Sequence, residues 1–392
     1  MRILFASVGN FGHVHPLLPL ALAARSAGHE VRFATGEQFH PILSAVGLEP
    51  VTAGRSVPDA FIEAAGGQAF LESQGGDVHP SELPPEVLTA LGVKAFGSVL
   101  PRSIAADLVA VFESFRPDLV IHEVMNPGAG FAARLAGIPA LSHGVGRLVS
   151  VGEEALIQEE LRVTAAELGV LVADDQVRLL GHPYVDVCPP SLQDPAFLTS
   201  GYPRIAQRPV PFDEPGELPA DLAGSDRPLV YLSLGTALGS AAVLRTAIEG
   251  LAPLDVRVLV ATGPTVGVEE LGELPAHTVA VPWVSQAEVL RHASVVVQHG
   301  GSGSMLAALA AGLPQLFLPQ GSDQPTNAEA VRALGAGEVL GHGELAAEAV
   351  TLKVKALLSD DSYRQAARRV ADEIAAMPSP EDVAAGLSTY AG

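Results

Sequence analysis

Two kinds of hydrophobic segment alternate along this chain. Short runs, the clearest of them apolar on nearly every residue, read as strands: Ile3–Ser7, Glu30–Ala34, Glu49–Val51, Leu119–His122 and Ala140–His143 in the first half. The second half repeats them at Leu229–Thr236, Arg257–Ala261, Thr278–Val281, Val295–Gln298 and Leu316–Leu318. Between them lie Ala- and Leu-rich stretches of helical length: His15–Ala27, Pro41–Val46, Ser103–Arg116, Gly130–Ala136 and Glu153–Leu168, then 241–251, Gln286–His292, Met305–Ala311, Asn327–Leu334, 344–358 and 361–376. Continuous rather than alternating apolar strands, each followed by a helix, predict α/β architecture with doubly wound parallel sheets.

The pattern lapses in three places. Residues 53–100 carry Gly66-Gly67, Gly75-Gly76 and Pro84-Pro85 and read as mostly loop with some helix; 169–205 is mixed. Residues 206–228 hold Pro209, Pro211, Pro215, Pro219 and Pro228, which suits neither helix nor central strand and predicts a linker. The expected organisation is therefore domain one at 1–205, a proline-rich linker at 206–228, domain two at 229–376, and a terminal helical segment at 377–392.

Composition narrows the function. A chain of 392 residues suits two domains, each burying its own core. A formal net charge of −21 argues against nucleic acid and against an anionic membrane surface as partners. Met1–Ser7 is too short for a signal peptide, and no unbroken apolar run reaches the roughly 18 residues of a membrane span. The one cysteine, Cys188, cannot form an intrachain disulfide, and a cytoplasmic location is expected. The oligomeric state is open, with a homodimer the commonest arrangement for soluble enzymes.

The most informative stretch is Val295–Gln298 running into His299-Gly300-Gly301-Ser302-Gly303-Ser304 and then a helix. A strand turning through glycines into a helix presents free N–H groups and the positive end of the helix dipole at one spot, an anion site. His299 and the Ser302 and Ser304 hydroxyls can add donors. Neither a dinucleotide fingerprint nor a Walker loop fits: Leu306 stands where a third glycine is needed, and no Gly-Lys-Ser/Thr follows. Nor is there a nucleophile elbow, since Ser304 replaces the last glycine.

The flanks of this stretch complete a longer pattern. Upstream stands Pro282-Trp283-Val284-Ser285-Gln286 with the only Trp; downstream stands Pro319-Gln-Gly-Ser-Asp323-Gln324-Pro-Thr-Asn327-Ala328. Pro-Trp-Val-x-Gln, His-Gly-Gly-x-Gly-Ser and Pro-x-x-x-Asp-Gln-x-x-Asn-Ala, in this order and spacing, resemble the nucleotide-sugar signature of family 1 glycosyltransferases. The likeness is greatest to actinobacterial enzymes that glycosylate polyketides and other natural products. It implies the GT-B fold, two Rossmann-like domains facing across a cleft, with the last helix returning to the first domain. It further implies that Trp283 stacks on the nucleotide base, with Val284 and Gln286 near base and ribose. Ser233, Gly235, Thr236, His299, Gly301, Ser302, Gly303 and Ser304 would surround the diphosphate, and Asp323 and Gln324 the sugar hydroxyls.

Ligands of such folds bind at the carboxyl ends of the strands. After the first strand, Val8–His13 reads as a glycine-bearing loop, with His15-Pro16 opening the helix. His13 is a candidate general base, and Gly12-His13-x-x-Pro16 matches the place where the resembled family carries one. Asn10, Phe11, Gly12 and His15 would line the acceptor side. A His13-x-His15 metal site lacks a third ligand, so no metal is expected. A base histidine needs a carboxylate on its other nitrogen, and Glu123, directly after Leu119–His122, supplies one where relatives often carry Asp; His122 is expected to point away into packing.

The expected reaction is inverting transfer of a deoxysugar from a nucleotide sugar, dTDP favoured over UDP, to a hydroxyl of a hydrophobic small-molecule aglycone, without cofactor. The rival readings are a nucleotide-sugar epimerase of the same fold and a non-catalytic sugar-nucleotide-binding partner. The latter would be expected to lose the base, and His13 is present. A glycoside hydrolase would need two flanking carboxylates, for which no pair can be placed.

Overall fold

The computed structural model describes residues 1–67, 85–148, 153–172, 179–212, 219, 226–236 and 239–391. It divides into two compact units: Met1–Val187, Asp194–Gln207 and Pro378–Gly392 form the first, Cys188–Gln193 and Arg208–Met377 the second. Most of the expected linker, 213–218 and 220–225, lies outside the described residues.

Among the described residues the first unit is built on a seven-stranded parallel sheet. Its strands are β1 (Arg2–Ala6), β2 (Glu30–Thr35), β3 (Glu49–Thr52), β4 (Leu119–Glu123), β5 (Ala140–His143), β6 (Tyr184–Asp186) and β7 (Arg204–Ala206), in the order β3-β2-β1-β4-β5-β6-β7. The second unit carries a six-stranded parallel sheet of β8 (Leu229–Ser233), β9 (Arg257–Ala261), β10 (Thr278–Val281), β11 (Ala293–Gln298), β12 (Gln315–Phe317) and β13 (Gly337–Val339), ordered β10-β9-β8-β11-β12-β13. In each sheet the order reverses beside the first strand, between β1 and β4 and between β8 and β11. The connections there leave in opposite directions and open a crevice at the carboxyl ends, where open α/β sheets bind ligands. Register sets which residues share that end: Ala6 pairs with His122, Glu123 with His143, and Gln298 with both Ser233 and Phe317.

Helices cover the sheets with small apolar side chains. Ile104, Leu108, Phe112 and Phe115 pack with Ala129, Ala132 and Ala133 over Leu4 and Val120 in the first unit. Leu244, Ile248, Val350 and Val354 cover Val230, Leu232, Val295 and Val297 in the second. The helical stretch Glu86–Phe115 has the length and composition to span a membrane. Here the apolar face of its second half is spent on the core just named, and Arg102, Asp107 and Glu113 interrupt it.

Several elements differ from expectation for identifiable reasons. The turn after β1 is helical from Phe11, because the Asn10 side chain accepts the Gly12 N–H at 3.1 Å and caps a helical turn Phe11–Val14. His13 therefore sits on a helix, not in a loop, and Pro16 falls in a tight 3₁₀ turn, His15–Leu17, before helix Leu18–Ser26.

Much of 53–100 is also helical: Val57–Ala64, then Pro85–Lys94 continuing through a π turn, Ala95–Val99, into Leu100–Phe115. Pro101 has no N–H for the Gly97 carbonyl four residues back. The Thr164 hydroxyl donates to that carbonyl at 2.8 Å instead, so the widened turn leaves no buried acceptor unpaired there.

Residues 188–193 join the second unit although they precede the linker. Cys188 and Leu192 are buried among Met305, Leu306, Leu309 and Phe317, and the Ser191 N–H donates to Glu373. At the other end of the chain, helix Pro380–Gly386 belongs to the first unit and packs on helix Leu18–Ser26.

Candidate active site

In the first unit, His13 and Glu123 form a pair. Nδ1 of His13 lies 3.1 Å from Oε2 of Glu123. The carboxylate is fully buried, whereas the imidazole keeps 19% of its side-chain surface exposed. Glu123 ends β4, and its other oxygen accepts the Met125 N–H, which fixes the rotamer aimed at His13. One ring nitrogen of His13 thus faces the buried carboxylate, and Nε2 is the other ring nitrogen of this partly exposed imidazole. The glutamate reaches across the β1–β4 step despite being longer than the aspartate of the resembled family.

His122 does point the other way. Its Nε2 lies 3.1 Å from Nδ1 of His182, its Nδ1 faces the Glu123 carbonyl, and burial pushes its pKa down to about 4. His143, beside Glu123 on β5, is likewise buried and pushed to about 4, with its Nδ1 2.7 Å from the Gly144 carbonyl oxygen.

The surroundings of His13 are aromatic. Phe96, carried on the π turn, stacks beside the imidazole with ring centroids 6.4 Å apart and planes inclined by 24°. Phe61 meets Phe96 edge to face at 6.3 Å. Phe11 packs edgewise on His15 at 5.2 Å and on Phe39 at 5.0 Å, so His15 belongs to an aromatic cluster while Gly12 is exposed at the helix start. Phe96 could not be singled out from sequence, since only the π turn sets its direction.

In the second unit, helix Ser302–Ala310 begins three residues earlier than expected, so Ser302, Gly303 and Ser304 are its first turn and their N–H groups are free of intrahelical partners. The turn that precedes it depends on glycine. Gly300 takes φ +103 against the Gln324 backbone, and Gly235 takes φ +76 with space for no Cβ: one would stand 2.6 Å from His299 Cε1. Gly301 also closes on this ring, with no room for a Cβ beside its Nε2. Two glycine backbones thus approach His299 closely, and Gly235 brings the loop after β8 against the loop after β11.

Burial pushes the His299 pKa down to about 4 against the opposing pull of Asp323, so this imidazole is neutral at physiological pH. Its Nδ1 is buried with no hydrogen-bond partner among the described residues. The Ser233 hydroxyl accepts the Gly235 N–H at 3.3 Å, setting the turn that carries Thr236.

Gln286, in the first turn of helix Gln286–His292, donates to the Ser304 hydroxyl at 3.3 Å, and Ser285 caps that helix. The cap needs a side-chain oxygen where the resembled family has proline. Trp283 is half exposed just before it, and Val284 packs partly into the core.

Helix Gln324–Ala333 also starts earlier than expected. Asp323, at its start, is exposed and accepts the Ser302 hydroxyl at 2.9 Å. Gln324 is buried and its side-chain oxygen accepts the Gln320 N–H at 2.7 Å. Asn327, one turn into the helix, donates to this group and was not singled out by the sequence as a site residue. Among the described residues no group of three or more His, Cys, Asp or Glu side chains could hold a metal ion.

Residues 22–235 match the N-terminal domain, and residues 245–389 the C-terminal domain, of the erythromycin biosynthesis protein CIII-like family. The chain belongs to this family. L-demethylnoviosyl transferase of Streptomyces niveus is 32% identical over 402 residues, covering 99% of this chain and 98% of that one. The glycosyltransferase SnogD of Streptomyces nogalater superposes with a TM-score of 0.78 at 27% identity, over 100% of both chains. SsfS6 of Streptomyces sp. SF2575, a glycosyltransferase complexed with thymidine diphosphate, gives 0.78 at 25% identity over 99% of both. The protein is thus a GT-B glycosyltransferase of the kind found in antibiotic and natural-product pathways.

Proposed function

We propose that the enzyme transfers a deoxysugar from a dTDP-linked donor to a hydroxyl of an apolar natural-product acceptor, with inversion at the anomeric carbon and His13 as general base. The observation that carries this reading is the partly exposed His13 imidazole held by the fully buried Glu123 carboxylate. An alcohol is a poor nucleophile until its proton is taken up during attack. His13 Nε2 takes that proton, and Glu123, on Nδ1, stabilises the imidazolium that forms. The acceptor oxygen bonds to the anomeric carbon from the face opposite the diphosphate. The bond from that carbon to the diphosphate oxygen breaks, and the electron pair leaves with the nucleotide.

Negative charge then grows on the leaving diphosphate. The free N–H groups of Ser302, Gly303 and Ser304, the dipole of their helix and the unpartnered Nδ1 of neutral His299 are donors suited to that charge. They supply this stabilisation without a metal ion. The Ser302 hydroxyl is already donating to Asp323, so its backbone N–H, rather than its side chain, is assigned to the diphosphate. Trp283, half exposed, is the stacking surface for the base. The thymine preference follows the thymidine diphosphate bound by SsfS6. The aromatic side chains around His13, Phe96 foremost, suit an apolar acceptor.

The test is transfer from an α-linked dTDP-sugar in excess EDTA, with the anomeric configuration of the product read by NMR coupling. A β-glycoside formed equally fast with and without chelator supports the reading. An α-glycoside, loss of activity with EDTA, or a clear preference for UDP-sugars would overturn the corresponding part of it.

A further inference from the structure

Asn327 is fully buried, and its side-chain nitrogen lies 2.8 Å from Asp323 Oδ2, 3.0 Å from the Gly300 carbonyl oxygen and 3.1 Å from Ser302 Oγ. Ser302 in turn donates to the same Asp323 oxygen at 2.9 Å. A carbonyl and a carboxylate can only accept, so the NH₂ of Asn327 must face them. Its Oδ1 is buried and has no hydrogen-bond partner among the described residues. One amide therefore ties together the glycine turn, the first residue of the helix that follows it and the exposed acid beside it. Among the described residues no other side chain hydrogen-bonds to all three.

On the donor reading given above, we propose that Asn327 is a positioning residue for donor binding: its amide holds the diphosphate turn and the sugar-facing Asp323 in a single geometry. The two halves of the donor are then recognised together. Loosening the amide costs affinity without removing any group that touches the donor. Buried hydrogen-bonded supports of this kind are worth about 10- to 100-fold when removed. A carboxylate in the same place would meet two groups that only accept, Asp323 and the Gly300 carbonyl, and a Ser302 hydroxyl whose proton is already given to Asp323. Ionised, it repels Asp323; protonated, it regains one donor bond, and the pairing of like charges raises the pH at which it protonates.

The experiment measures the Kd for dTDP-glucose by calorimetry, with dTDP as reference ligand, for the wild type, Asn327→Ala and Asn327→Asp between about pH 5.5 and 8. The charged group on this amide is Asp323, and His299, which interacts with Asp323 and whose pKa is pushed down to about 4, stays neutral across that range. The wild type is expected to bind with little pH dependence. Asn327→Ala should bind about tenfold or more weakly at every pH. Asn327→Asp should bind weakly at the alkaline end and recover towards wild type as the pH falls, which a merely structural defect would not do. Being nearly isosteric, it also serves if the alanine variant fails to fold.

Alanine within about threefold of wild type, or an aspartate variant indifferent to pH, would overturn the proposal while leaving the donor site standing. A wild type that binds neither ligand would overturn the donor reading itself. Should dTDP alone bind, the alanine comparison is read with dTDP.

Discussion

His13 Nδ1 lies 3.1 Å from Glu123 Oε2, and the two residues follow adjacent strands at the point where the order of the first sheet reverses. The carboxylate is fully buried and the imidazole is not, so the pair has one side enclosed by protein and one side partly exposed. Replacing Glu123 with Gln keeps the shape and removes the charge that stabilises the imidazolium. Glu123→Gln is expected to lower kcat on the order of 10- to 100-fold with donor affinity unchanged. Steady-state kinetics beside calorimetric titration with dTDP checks both halves. An unchanged kcat would remove Glu123 from the mechanism.

The glycines around His299 make a separate prediction. A methyl group at Gly301 would fall inside the contact distance of the imidazole, and one at Gly235 would meet it at 2.6 Å in a left-handed backbone. Gly301→Ala is expected to displace the ring and the helix start together and to cost about a hundredfold in kcat/KM for donor. The His13–Glu123 pair, in the other unit, is unaffected. Wild-type donor kinetics in this variant would mean that this close packing of His299 is not needed.

Stability should depend on pH through histidines that catalysis does not use. Burial pushes His122 and His143 down to about 4 and His182 to about 3. In the unfolded chain each binds a proton near its ordinary value of about 6.5. Between those values the unfolded state carries more protons, so stability rises with pH. The contribution is fully present above about pH 6.5 and is lost as pH falls towards 4. Thermal unfolding should therefore show a lower Tm at about pH 5 than at pH 7. His143→Gln should make that decline shallower. A Tm that does not change over this interval contradicts the assignment of these histidines as buried and neutral.

What the sequence disclosed is what short-range pattern controls. Runs such as Leu229–Ser233 and Val295–Gln298 are apolar on both faces, which only a covered parallel strand tolerates, so both sheets were legible. His299–Ser304 announced a strand turning through glycines into a helix, because the glycines that permit it stand close together.

Harder to read was what depends on distant partners. Asn10 is a good capping residue, yet the glycines on either side made its segment look like loop, which hid the helical setting of His13. The π turn that aims Phe96 rests on Pro101 and on Thr164, sixty-seven residues from the carbonyl it satisfies. Strand β13 is three residues long and begins with glycine, too short to carry a period. Cys188–Gln193 joins the second unit through contacts with helix Ser302–Ala310 that no local pattern encodes. Asn327 stood in the motif, but its role depends on three acceptors that only the fold brings together.

The central claim is that donor binding and proton removal belong to different units of this glycosyltransferase, the second resting on His13. The most direct measurement pairs calorimetric titration of dTDP into the wild type and His13→Ala with transfer assays on the same preparations. Equal affinity for dTDP, with transfer by the variant lowered on the order of 10²- to 10⁴-fold, is the predicted result. A variant that still transfers at the wild-type rate, or one that loses dTDP binding, would contradict it.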